Sequence, residues 1–143
     1  MKKHLALFAA VAVLAGGVAW AADERPAPGR KETAPRNQRV GVEEFDKLRA
    51  NKNHVVLDVR TGREFKAGHI PGAVNIDANA PDFAEKVAKL DKNKTYLVHC
   101  AAGGRSARAC KQLEGIGFKE LYDLAPGFNA WQKAGKPVEK GNP

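Results

Sequence analysis

The residues that invite chemistry are His99-Cys100-Ala101-Ala102-Gly103-Gly104-Arg105-Ser106. Cys100 closes an apolar run, and every residue between it and Arg105 is small. Small residues let a loop curl tightly, so that several backbone N–H groups converge on one centre. A helical pattern runs from Ser106 to Glu114, and its N-terminal amides and positive dipole end aim at the same centre. A cysteine placed there has its thiolate favoured over its thiol. The segment therefore reads as an anion cradle with a nucleophile inside it. Ser106 could cap the helix or donate to the sulfur, and Arg105 could hold an anionic substrate or brace the loop. His99 invites a Cys-His pair, but adjacent strand residues point to opposite faces, so a structural role is expected of it.

Other chemistries find no support. No His/Cys/Asp/Glu group has metal-ligand spacing, so neither a metal nor a cofactor is expected. Gly103-Gly104 has neither the dinucleotide nor the Walker spacing. The second cysteine, Cys110, falls inside the helical pattern, about two turns along at ~1.5 Å per residue. Bridged Cα atoms must approach within ~7 Å, so Cys110 reads as a small buried side chain rather than a disulfide partner.

Several elements must position Cys100. Val42 to Leu48 suggests a short helix, and His54 to Val59 a buried, β-branched strand. Thr61 to Lys66 fits one helical turn, with Thr61 and Glu64 at capping-box spacing. Gly68-His69-Ile70-Pro71-Gly72 is a turn, and Ala73 to Ile76 a short strand. Pro81 to Leu90 has near-helical apolar spacing, and Thr95 to His99 is the second strong strand. Glu120 to Leu124 is another strand; Phe128 to Ala134 is a last helix, stopped by Gly135 and Pro137. Strands separated by helices imply an α/β fold: a parallel sheet of about five strands with helices on both faces. Ligands bind such sheets beyond the carboxyl ends of the strands, which is where Cys100 falls.

The chain has 143 residues, enough for one domain, and a formal net charge of +8. Its basic residues are dispersed, without the clustered patch that nucleic-acid binding asks for, so attraction of small anions is the simpler meaning. Lys2 and Lys3, the apolar stretch Leu5 to Val18 and the small-x-small site Ala19-Trp20-Ala21 have the layout of a secretory signal peptide over residues 1–21. The stretch is short for a membrane span, which needs ~20 residues, so cleavage without stable membrane insertion is expected. Residues 22–38 hold three prolines and many charges and read as a flexible linker. The domain is expected over 39–143, exported, with a periplasmic location favoured.

From Val40 to about Val138 the chain resembles the single-domain rhodaneses, the thiosulfate sulfurtransferase-like proteins. Leu57-Asp58-Val59-Arg60, Glu64-Phe65 and Gly68 through Ile76 are similar to the family's N-terminal signature. Cys100 to Ser106 is similar to its active-site loop, and Gly115-Ile116-Gly117-Phe118 and Gly127-Phe128-Asn129-Ala130-Trp131 to its C-terminal features. The resemblance implies that Cys100 takes a sulfur from a donor such as thiosulfate and passes it, as a persulfide, to cyanide or a thiol. It implies a pocket built from Ala101, Ala102, Gly103, Gly104 and Arg105, beside Ser106, with Asp58 and Arg60 as a supporting salt link. The implied partners are a small anionic sulfur donor, a thiol or cyanide acceptor and a partner protein in a sulfur relay; a monomer is expected.

Two departures stand out. Many relatives carry Arg directly after the cysteine, where this chain has Ala101, which weakens the attraction for a dianion. The pair before the last helix is often Gly-Gly, and here it is Pro126-Gly127. Related phosphatases place five residues between cysteine and arginine; only four separate Cys100 from Arg105, which shrinks the cradle toward sulfur and away from phosphate. A sulfur carrier without turnover would use the same residues.

Overall fold

The fold follows from one central strand and what flanks it. A computed structural model of the chain describes residues 36–141; the signal peptide expected over 1–21 and most of the expected linker lie outside the described residues. In chain order the elements are β1 Arg36–Val40, α1 Val42–Arg49, β2 Val55–Asp58, α2 Gly62–Ala67, β3 Val74–Asn75, α3 Phe83–Ala88, β4 Thr95–His99, α4 Gly104–Gly115, β5 Glu120–Leu124 and α5 Gly127–Lys133. The strands form one five-stranded sheet in the order β1-β5-β4-β2-β3, every neighbouring pair parallel. The parallel α/β sheet read from the sequence is the one found.

Alternation along the strands sorts the core onto two faces. Leu57, Val59, Tyr96, Val98 and Leu121 meet Phe83 and Val87 of α3 and Ala109, Cys110 and Leu113 of α4. Val40, Val56, Leu97 and Leu124 meet Phe45 of α1, Phe65 of α2 and Phe128 and Trp131 of α5. Trp131 is fully buried, and its indole N–H donates to the Pro137 carbonyl at 2.8 Å, so no polar group is stranded with the ring.

One boundary needs correction. Arg36, Asn37 and Gln38, assigned above to the linker, are strand residues that pair in register with Glu120, Leu121 and Tyr122. The segment carries no apolar alternation because β1 is an edge strand with only Val40 buried. Its partner's backbone, rather than its own side chains, holds it in the sheet. The capping box is as read: the Glu64 N–H donates to Thr61 Oγ1 at 3.2 Å, and the Thr61 N–H donates to Glu64 Oε2 at 3.0 Å. Among the described residues no helix is long and apolar enough to cross a membrane.

Candidate active site

Cys100 leaves the carboxyl end of β4, the strand between β5 and β2. It is 1% exposed and turned toward the α4 face. Gly103, at φ +91°, turns that loop back on itself. A Cβ there would sit closer than 3.0 Å to the Ala125 carbonyl, so glycine is required on two counts. The turn brings the Gly103 N–H to 3.1 Å from Cys100 Sγ. Ser106, fully buried in the first turn of α4, places its hydroxyl 3.5 Å from the same sulfur.

These contacts set the charge on sulfur. Burial pushes the thiol's pKa up, but the Ser106 hydroxyl and the amides of Ser106, Ala102 and Gly103 outweigh it and leave it lowered. Cys110 lacks such donors, and burial pushes its thiol well above the usual range. Both cysteines are free, as the helical spacing implied.

The loop is held from outside as well. The Phe128 N–H donates to the Cys100 carbonyl at 2.8 Å and the Asn129 N–H to the Ala101 carbonyl at 3.0 Å. Ala102 and Gly104 face solvent while Ala101 is half-buried, so the mouth is lined by backbone and methyl groups.

Arg105 braces the loop. Its guanidinium forms a two-pronged pair with Glu64 of α2, Nη1 to Oε2 and Nη2 to Oε1, each at 2.8 Å. The Arg105 guanidinium holds the Glu64 carboxyl at about 2, below the usual carboxylate range. Of the two roles open to Arg105, the geometry commits its charge to Glu64 and leaves none unpaired for a substrate. Glu64 is the residue that sequence reasoning missed here. Its capping-box position is readable, but nothing local joins two positions so far apart along the chain.

Asp58 and Arg60 lie on the other face, beneath the site. Arg60 donates to Asp58 Oδ2 at 2.6 Å and to the Gly68 carbonyl at 2.7 Å, and its guanidinium lies over the Phe128 ring at 4.0 Å. This salt link ties β2 to the turn before β3 and to α5; neither residue hydrogen-bonds the sulfur. His99 is fully buried there too, 3.5 Å from Asp58 and stacked on Phe128. Burial, chiefly, pushes its pKa down to about 4, which leaves a neutral ring directed away from Cys100.

A family model for the rhodanese-like domain matches residues 41–134. The chain belongs to the rhodanese-like family. The rhodanese-like domain here is 36% identical over 96 residues to thiosulfate sulfurtransferase 16 of Arabidopsis thaliana, a match covering 60% of this chain and 80% of that one. It is 34% identical over 102 residues to the thiosulfate sulfurtransferase GlpE of Pseudomonas putida, covering 71% and 90%. Among solved structures it resembles a rhodanese-related protein of Thermoplasma volcanium, with a TM-score of 0.64 and 30% identity over 71% of this chain and 97% of that one.

Proposed function

We propose that the protein is a sulfurtransferase in which Cys100 carries sulfane sulfur as a persulfide. The observation that carries the reading is the convergence of the Gly103 N–H and the Ser106 hydroxyl on the sulfur of a cysteine ringed by small residues. The Cys100 thiolate attacks the outer sulfur of a donor such as thiosulfate. The donor's S–S bond breaks, and sulfite leaves with the electron pair. A thiol or cyanide then attacks the outer sulfur of the persulfide and releases the Cys100 thiolate. No proton has to be taken from a weak acid, so fixed amide donors suffice without a general base.

In this reading Ala101, Ala102, Gly103, Gly104 and Ser106 form the sulfur cradle and Arg105 holds it in shape. Asp58 and Arg60 support it from below. With Arg105 paired and Ala101 in place of a cation, amides and the α4 dipole attract the donor rather than a free guanidinium. Small sulfane donors of low charge, or a protein persulfide in a relay, then compete well with thiosulfate. The protein works as a monomer in the periplasm after removal of residues 1–21. Thiocyanate formation from thiosulfate and cyanide, compared with an uncharged donor at equal concentration, tests this. A Cys100-dependent rate with both donors is expected; phosphate-ester cleavage without thiocyanate would contradict it.

A further inference from the structure

One buried carboxylate is left without a task. Asp123 lies on β5, its side chain 1% exposed, on the α4 face beneath Cys100. Its neighbours come from three elements. On β1, Arg39 Nε donates to Asp123 Oδ2 at 3.0 Å, while Arg39 Nη2 reaches the Ala125 carbonyl at 3.3 Å. On β4 its register partner is the apolar Val98. From α4 come Ser106 and Cys110, while Glu114 further along that helix accepts from Asn37 Nδ2 at 3.1 Å. Asp123 Oδ1 has no hydrogen-bond partner among the described residues. A buried carboxylate oxygen without a donor is costly.

Ser106 of α4 faces that carboxylate, but its hydroxyl, as placed, donates to Cys100 Sγ at 3.5 Å and leaves Asp123 Oδ1 unserved. A hydroxyl carries one proton and can serve one of these acceptors at a time. We propose that Asp123 and Cys100 compete for the single proton of the Ser106 hydroxyl, so that Asp123 is a positioning residue that sets how much of Cys100 rests as thiolate. While Cys100 is a thiol, the hydroxyl turns to Asp123. When Cys100 ionises, the hydroxyl turns to sulfur and Oδ1 is left bare, as in the structure. Burial raises the pKa of Asp123 against the lowering by Ser106 and Arg39, which agrees with a carboxylate that is short of donors.

A consequence follows that rests on the persulfide reading, although the competition itself does not. In a persulfide the charge sits on the outer sulfur, facing the loop amides, and Sγ no longer needs the proton. The hydroxyl returns to Asp123. The carboxylate therefore disfavours the bare thiolate more than the loaded cysteine, and biases the site toward holding sulfur.

The test is the ionisation of Cys100, which needs no sulfur donor. Alkylation of the full chain by iodoacetamide is followed against pH by peptide mass, which separates Cys100 from the unreactive Cys110. Asp123→Asn should lower the Cys100 midpoint by about one unit, about a tenfold faster alkylation below it. Ser106→Ala should raise the midpoint, and in that background Asp123→Asn should shift it by a third as much or less. Through-space repulsion alone would give the same shift with and without Ser106. That result, an upward shift, or a lower melting temperature with no shift would overturn the proposal. Should Asp123→Asn fail to fold, Asp123→Ser removes the same carboxylate with a smaller side chain and carries the same expectations.

Discussion

Arg105 and Glu64 meet through two parallel contacts of 2.8 Å, and this pair fastens the N-terminal end of α4 to the N-terminal end of α2. Glu64 also accepts from the Thr61 hydroxyl at 2.9 Å. One carboxylate thus caps a helix and braces the loop that shapes the sulfur site. The pairing leaves the charge at the mouth balanced.

Glu64→Gln separates these effects. Gln keeps the capping geometry and loses the charge, so the loss of stability should be modest, about 1 kcal/mol for a half-exposed pair screened by solvent. The freed Arg105 guanidinium should lower the KM for thiosulfate and leave an uncharged donor unaffected. Urea unfolding and steady-state rates with both donors check this; an unchanged KM for thiosulfate would place Arg105 away from the donor's path.

Acid stability should fall in two stages. His99 is held at about 4 against a reference of 6.5, so the unfolded chain binds its proton first. Its contribution is complete above pH 6.5 and is lost as pH falls through 4, by about 3 kcal/mol at most for a fully buried ring. Glu64, at about 2 against 4.5, contributes fully above 4.5 and loses its smaller share as pH falls through 2. Urea midpoints across this range, with His99→Phe as comparison, should show the first stage missing in the variant.

Gly127 is a second point where backbone geometry reaches the site. It has φ +71°, and an added Cβ would sit closer than 3.0 Å to the Ala101 carbonyl and the Ala102 nitrogen. Gly127→Ala should cost about 1–3 kcal/mol and displace the cradle, lowering turnover as well as the melting temperature. Gly115→Ala, where a Cβ meets open space, should be neutral or stabilising by up to about 1 kcal/mol. Equal effects from the two would show that the contact with the loop is unimportant.

Legibility in the sequence followed burial. Strands β4 and β5 stand at the residues read for them, because both are largely buried and punctuated by turns. Cys100 was readable because strand end, small residues and helix start are consecutive along the chain. The strand β1 was hidden because an edge strand with one buried residue carries no apolar alternation. The Glu64–Arg105 pair and the approach of Asp123 to Ser106 were hidden for another reason. Each joins elements that only the crossover topology brings together, and neither leaves a local pattern.

Whether Cys100 carries sulfur is tested most directly by intact mass. The chain is incubated with thiosulfate, freed of excess donor, weighed, then treated with cyanide and weighed again. Sulfur transfer through Cys100 requires one added sulfur after the first step, its loss as thiocyanate after the second, and neither in Cys100→Ser. An unmodified mass after thiosulfate and after an uncharged sulfane donor, or an adduct that persists in Cys100→Ser, would contradict it.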